Sequence, residues 1–411
     1  MHSRFSTGVL WNFGSLVILA VVGLATNAAI LALAGEAALG VFNQVFAFYI
    51  VISQFAVLGM QFSVLKHCSY HQGQRDVCQK MAGVALLLTA TLAGGVCVIL
   101  FLARHAIGAL LKSEDVAFGL ALALPALLLF SLNKVLIRVL NGLRHMRAYA
   151  VFQALRYVIL MVAVLGLLAW RPDGRYLPLS LSVAESVIFV GLLAYIHLKI
   201  FPLRMPSILD LRNWCPLHLS FGIRGFLSGV LGEMNTRIDI LMLGLFLSDA
   251  LVGLYSFAAT FAEGYEQLTA AIRHNVDPVA GQCFADMNQN RLGLIVHRVQ
   301  RLFWPFMVVT GVVATLCFPA ILWLLGRSEI CSHVWGLFAI LVLGYGFSAG
   351  YRIFIGLILQ GGRPGCFTML IAGTVLTNVL LNSALIPLLG GTGAATATAV
   401  THIIQGCVIV L

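Results

Sequence analysis

Charge is what this sequence has least of. Only 10% of its 411 residues are Asp, Glu, Lys or Arg, against 60% hydrophobic. An ordinary soluble domain carries about 25% charged residues, so a soluble globular fold is excluded. Catalytic signatures are missing as well: no Gly-rich phosphate loop ending in Lys-Ser/Thr, no His-Glu-x-x-His and no nucleophile elbow. The chain therefore cannot hydrolyse ATP by a phosphate-loop route, and no cofactor is expected. The nine cysteines include no Cys-x-x-Cys pair and the eleven histidines are dispersed, so no metal site is expected either. Cys68, Cys78, Cys215 and Cys283 fall where reduced cytoplasmic thiols are expected.

What is there is apolar sequence of spanning length, repeated from end to end. A membrane helix needs about 20 residues, and about twelve segments qualify, near 9–33, 38–65, 81–103, 116–137, 149–170, 177–200, 219–247, 250–274, 302–325, 333–358, 366–388 and 392–411. No interval between them can hold a folded soluble domain. The first run follows a single Arg and lacks a small-residue cleavage site, so it reads as a membrane helix and not a removable signal. The chain stops at Leu411 inside an apolar segment. Either the last helix ends flush with the cytoplasmic face or the chain is incomplete.

The net charge of +10 is a topology signal. With the N-terminus cytoplasmic, the inside connections hold Arg4, Lys66, Arg75, Lys80, Arg144, Arg147, Lys199, Arg204, Arg212, Arg273, Arg291, Arg298, Arg301 and Arg363. The outside holds only Arg104, Lys112, Arg171, Arg175 and Arg327. That is the positive-inside bias. It points to anionic membrane lipids as neighbours and away from nucleic acid.

The chain reads as two halves. Pro202, Pro206 and Pro216 break up 201–218, which is expected to be a cytoplasmic linker between an N-terminal six-helix bundle at 1–200 and a C-terminal one at 219–411. The halves share faint motifs. Glu36-Ala37-Ala38-Leu39-Gly40-Val41-Phe42 matches Asp249-Ala250-Leu251-Val252-Gly253-Leu254-Tyr255, an offset of 213 (253 − 40). Leu140-Asn141-Gly142 with Arg144 matches Leu359-Gln360-Gly361 with Arg363, an offset of 219 (361 − 142). Similar offsets imply a duplicated unit entering the membrane from one side. The expected fold is therefore an all-α polytopic membrane protein of about twelve helices, two six-helix bundles related by a parallel pseudo-two-fold. Gly222, Gly225, Gly229 and Gly232 form a stripe for close helix packing or for bending, and Pro125 and Pro319 predict kinks.

Ionisable groups at membrane depth are the functional candidates, since each costs several kcal/mol in lipid. Glu233, Asn235, Arg237 and Asp239 lie in 219–247, Glu263 and Glu266 in 250–274, and Glu185 in 177–200. Glu233 and Arg237 are four apart and can neutralise each other on one helical face. Glu263 and Glu266 are three apart, so if both point inward one would stay protonated. Arg237 suits a phosphate, because its planar fork pairs with phosphate oxygens and stays charged when buried. Arg224 and Arg273 would line an entrance for the same anion. Salt bridges that merely lock helices together remain the competing reading. Asn27, Asn378 and Asn382 are expected to hydrogen-bond between helices.

The run from Phe221-Gly222-Ile223-Arg224-Gly225-Phe226 through Glu233-Met234-Asn235-Thr236-Arg237-Ile238-Asp239-Ile240-Leu241-Met242-Leu243-Gly244 resembles the seventh helix of Wzx-type polysaccharide (O-antigen or exopolysaccharide) flippases. These belong to the multidrug/oligosaccharidyl-lipid/polysaccharide exporter superfamily. Ser248 to Ala258 resembles the start of that family's next helix, Asp277-Pro278 with 291–301 its cytoplasmic connection, and 390–398 its small-residue-rich last helices. The resemblance implies a fold like that of the MATE exporters of the same superfamily, in the bacterial inner membrane with a cytoplasmic N-terminus. It implies movement of undecaprenyl-pyrophosphate-linked oligosaccharide to the periplasmic leaflet, with glycan polymerase and chain-length proteins as further partners. It makes Arg237 a cavity cation for pyrophosphate or acidic sugar, and Asp239 and Glu263 ion-coupling candidates. From the residues alone, Arg224, Arg273 and Asn235 are further substrate-binding candidates, and Glu233, Glu266 and Glu185 further ion-coupling candidates.

Two other functions stay open. A cation-coupled multidrug exporter of the same superfamily is one, though Arg237 suits organic cations poorly. A membrane glycan polymerase or glycosyltransferase is the other, though the short outside connections leave little room for a catalytic loop.

Overall fold

The computed structural model describes the backbone of residues 2–286 and 288–410. It leaves undescribed the side chains of 1–13, 16, 274, 275, 278, 285, 287, 289, 359, 360, 364, 410 and 411. Arg4, Pro278, the Leu359-Gln360 pair of the second repeat and Leu411 lie outside the described residues.

Helices account for almost all of the described chain, with no strand among those residues. In order they are α1 (His2–Val57), α2 (Met60–Tyr70), α3 (Arg75–Leu110), α4 (Glu114–Gly142), α5 (Met146–Trp170), α6 (Leu179–Lys199), α7 (Ile208–Phe246), α8 (Asp249–Ala285), α9 (Gln289–Leu324), α10 (Cys331–Arg352), α11 (Gly356–Gln360), α12 (Pro364–Leu389) and α13 (Gly391–Val410). The apolar part of α1, Val17–Val57, has 41 residues. At 1.5 Å per residue that is about 60 Å, twice the hydrocarbon thickness. Gly35 divides it, with φ 87° and ψ 178° inside the helix. Counting α1 as two spans, and α2 and α11 as short connectors, gives the twelve membrane helices expected.

Eight of the described helices are long and apolar enough to cross a bilayer by composition alone. Three of the twelve spans, α7, α8 and α13, are not among them. The first two carry the ionisable residues, and α13 is rich in Gly and Thr. Their backbones are nonetheless satisfied within the helix, which is what hydrocarbon demands. Val98, Leu102, Val309 and Leu316 are exposed. Outward-facing apolar side chains of this kind suit a surface solvated by lipid.

By contact the chain forms two compact units. The first takes residues 1–34 and 41–233, and the second 35–40 and 234–411. That boundary lies further along the chain than the 201–218 segment. Only 201–207 there is non-helical, and Pro216 sits inside α7. Ser207 and Asp210 explain the helix start: the Asp210 carboxylate accepts from Ser207 N (3.0 Å) and Oγ (2.7 Å), while Ser207 Oγ accepts from Asp210 N (3.2 Å). These bonds hold the Asp210 carboxyl below its usual range. This reciprocal cap overrides the proline signal.

In the first unit α4 is the hub, packing on α2, α3, α5 and α6. Leu136 and Leu140 of α4 bury against Ile188, Leu192 and Ile196 of α6, both sets spaced by four. Pro125 interrupts α4, and Ser182 of α6 repairs the gap. Its Oγ accepts from Ala126 N (3.1 Å) and donates to the Leu122 carbonyl (2.7 Å), so a hydroxyl is inserted into the helical ladder. The glycine stripe of α7 packs at Gly222, Gly225 and Gly229, against Leu58, Phe62 and Gln54, whereas Gly232 has open space.

In the second unit α10 is the hub, packing on α8, α9 and α13. Phe318 stacks on Phe338 at 4.2 Å, and Gly344 admits the Ala399 backbone. The two copies of the repeated motif meet here. A Cβ on Gly40 would strike the Asp249 carbonyl, and a Cβ on Gly253 would strike the Glu36 carbonyl. Arg327 reaches Glu36 at 3.8 Å and Glu329 at 3.5 Å beside this contact.

Candidate functional site

The second unit holds the larger polar constellation. α7 and α8 bring Arg237 Nη1 to 3.6 Å from Glu263 Oε1, with side-chain exposures of 24% and 30%. Two residues on from Arg237, Asp239 Oδ2 accepts a hydrogen bond from the Tyr255 hydroxyl, and Oδ1 accepts from Ile240 N at 2.9 Å. Tyr255 is fully buried. Its hydroxyl lies 3.5 Å from Thr398 Oγ1, which accepts from Asn378 Nδ2 (3.4 Å); Asn382 Nδ2 in turn donates to Asn378 Oδ1 (2.7 Å). The asparagines thus bond both along α12 and across to α13. The chain Asp239–Tyr255–Thr398–Asn378–Asn382 links α7, α8, α12 and α13 through hydroxyl and amide groups. Oxygen-rich sets of this kind can hold a proton or a small cation.

Glu266 pairs with a different arginine from Glu263. Its Oε1 lies 2.7 Å from Arg352 Nη2 of α10, and Arg352 Nε donates to Gln405 Oε1 at 2.9 Å. The two carboxylates of α8 thus face different arginines, Glu263 facing Arg237 and Glu266 facing Arg352. Arg224 is exposed on α7, with Nη2 on Ser220 Oγ at 2.6 Å. It belongs to the first unit, whereas Arg237 belongs to the second. Asn235 is half-buried and enters none of these pairs. Arg273 is half-buried on α8 and lines a separate polar cavity with Glu266 and Arg352.

The first unit holds a second constellation. Glu185 of α6 is 3% exposed. It lies 3.0 Å from Arg156 Nε, accepts from the Tyr49 hydroxyl (3.1 Å), and its Oε2 accepts from Asn133 Nδ2 (2.8 Å). A cavity of about 50 Å³ adjoins it, lined by Tyr49, Phe130, Arg156, Tyr157 and Glu185 among others. That is room for a water or two. Lys134 Nζ donates to Ser53 Oγ at 2.8 Å and lies 4.5 Å from the Phe130 ring, on which Arg156 also rests at 4.9 Å. Glu233, four residues before Arg237 but part of this first unit, accepts from Gln54 Nε2 at 3.1 Å.

Sequence reasoning missed Lys134, Arg156 and Arg352. Each falls inside a segment counted as spanning: 116–137, 149–170 and 333–358. Treating every cation at membrane depth as a candidate, as was done for Arg237, finds all three. Tyr49, Tyr255 and Gln54 carried no such mark, since polar aromatics and amides are common on helix faces.

Several solved structures with this fold are membrane transporters. A multidrug resistance MATE family transporter of the MOP superfamily, inward-facing, superposes with a TM-score of 0.78 at 15% identity, over 95% of this chain and 92% of that one. The lipid II flippase MurJ, in an inward closed conformation, gives 0.80 at 13% identity over 98% and 87%. A MOP superfamily transporter from Pyrococcus furiosus, described as having a binding pocket of reverse polarity that suggests a different function, gives 0.63 at 14% over 99% and 93%. At these identities the likeness establishes the fold. No curated protein matches the sequence. Residues 5–276 match the family described as polysaccharide biosynthesis protein, well over half of the 411 residues, and the chain belongs to that family.

Proposed function

We propose that the protein is a flippase, carrying an oligosaccharide linked through a diphosphate to a polyprenol from the cytoplasmic to the outer leaflet by alternating access. The observation that carries this reading is Arg237 of α7, a partly buried guanidinium 3.6 Å from Glu263 and two residues before Asp239, whose carboxylate accepts from the Tyr255 hydroxyl. A guanidinium there is costly in lipid and serves an anionic cargo. The family, whose description is polysaccharide biosynthesis, supports a glycan as cargo. The MurJ fold, whose own title is lipid II flippase, supports a lipid-linked form of it. Undecaprenyl pyrophosphate is the carrier, and the bacterial inner membrane the location, with the N-terminus cytoplasmic.

Asp239 is the coupling carboxylate in this reading, because its hydroxyl and amide neighbours suit a proton or a monovalent cation equally. Arg237 and Glu263 form a loose pair, which a diphosphate can open by taking the arginine. Transport needs no catalytic residue. Glycan polymerase and chain-length proteins are the expected partners downstream.

Arg237→Ala should abolish surface glycan in cells that depend on this protein while leaving its amount in the membrane unchanged. Glycan export at the wild-type rate by a well-expressed variant rejects the assignment. The multidrug-exporter alternative predicts instead that drug accumulation, and not surface glycan, changes when the chain is removed.

A further inference from the structure

Outside the Arg237–Asp239 cluster, the second unit encloses a cavity of about 260 Å³ where α8 meets the end of α10 and the turn after it. Its wall includes Glu266, Gln267, Thr269, Arg273, Arg352 and Ile355. Water occupies about 30 Å³ per molecule, so the space is worth several waters and takes a group larger than a simple ion. We propose that this cavity is a phosphoryl-binding site, in which Arg273 and Arg352 grip the oxygens of a phosphate or diphosphate from two sides.

Glu266, Thr269 and Arg273 recur at three and four residues along α8, which puts them on one helical face. Arg352 faces them from α10 and is fixed on one edge. Its Nη2 lies 2.7 Å from Glu266 and its Nε donates to Gln405. A guanidinium has five N–H donors, so these two contacts orient the fork and leave donors for a ligand. Preorganisation of this kind lowers the entropy cost of binding. Arg273 takes part in no ion pair or hydrogen bond among the described residues, so none of them occupies its fork. Asp277, one turn further along α8, packs its carboxylate on Gly356 of α11, and it is not part of the cavity wall.

The wall therefore carries two guanidinium groups against one carboxylate, an excess of one positive charge. Arginine forks match phosphoryl oxygens bidentately. A lone carboxylate would satisfy one fork, whereas a phosphoryl group presents oxygens in several directions and can satisfy both. Thr269 adds a hydroxyl. Two sources offer this chemistry in a membrane: the diphosphate of an isoprenoid-linked cargo, and the phosphodiester of an anionic phospholipid. The first source rests on the flippase reading above; the site itself does not.

The full chain is reconstituted in phosphatidylcholine nanodiscs and its thermal unfolding followed with inorganic pyrophosphate, with farnesyl diphosphate, and with phosphatidylglycerol mixed into the disc. At least one of these should raise the unfolding temperature, and Arg273→Gln should weaken that response about tenfold or more in concentration, the usual effect of losing a charge-assisted hydrogen bond. Arg273→Gln breaks no pair among the described residues, and the unfolding transition of the variant without ligand checks that its fold is retained. Arg273→Lys should recover the response only in part. A response to the diphosphates in phosphatidylcholine discs identifies the cargo group. A response to phosphatidylglycerol alone identifies a lipid headgroup. No response to any of the three, or an equal response from Arg273→Gln, overturns the site. The readout needs no transport, so failure of the Arg237 prediction and failure here are separable.

Discussion

Glu185 is the most enclosed carboxylate described in the chain, and replacing it decides whether it couples ions or holds helices together. Glu185→Gln is the informative change, because the amide still accepts from Tyr49 and still sits beside Asn133 while the charge is lost. Arg156, whose side chain is 14% exposed against 4% for Glu185, is then left without its 3.0 Å partner. Breaking a buried pair from one side costs about 3–5 kcal/mol, and the residual exposure of Arg156 places the expected loss at the low end, about 3 kcal/mol. Arg156→Met in the same protein should recover most of that loss, since removing both charges removes the desolvation cost as well. The assay is equilibrium unfolding of wild type, both single variants and the double variant in one detergent, read as a double-mutant cycle. A structural pair gives two unstable single variants and a double variant close to wild type, with the pH dependence of glycan export unchanged in the double variant. If Glu185→Gln is as stable as wild type but export loses its response to the ion gradient, the structural reading is refuted and Glu185 is a coupling group.

Three further outcomes follow from the packing. Gly40→Ala and Gly253→Ala should each abolish export or sharply lower expression, because either Cβ meets the backbone of the opposite motif; a well-folded, active alanine at either position would show that the contact opens freely. Ser182→Ala should destabilise the first unit by about 1–3 kcal/mol, because Ala126 N and the Leu122 carbonyl at the Pro125 break lose their common partner. Tyr255→Phe removes the donor to Asp239 with little change in volume. Export by that variant should shift its dependence on pH or sodium while Arg237-dependent binding of the cargo persists, and an unchanged ion dependence would separate Asp239 from coupling.

Much of the fold was legible because a bilayer imposes it. Apolar runs of about 20 residues can only be spanning helices, and the motif offsets of 213 and 219 already marked a duplication. The presence of Glu233, Arg237, Asp239, Glu263 and Glu266 in long, mostly apolar segments was equally plain from composition. Local signals were less reliable. Pro216 lies inside α7 because a Ser207–Asp210 cap starts that helix ahead of it, and the run at 38–65 breaks at Leu58 and Gly59, both with positive φ, which no hydropathy count records.

Pairing was decided by tertiary structure alone. Helical periodicity says which residues share a face, and it made Glu233 the natural partner of Arg237 and set Glu263 beside Glu266. It cannot say which other helix arrives at that face. The fold brings Glu263 to Arg237, Arg352 to Glu266 and Arg156 to Glu185, joining residues 26 (263 − 237), 86 (352 − 266) and 29 (185 − 156) positions apart. Ion pairs are set by distances of a few ångströms between helices, which helical periodicity within one segment does not record. Sequence fixes the inventory of charges that must be compensated within the membrane; only the packed bundles determine which charge compensates which.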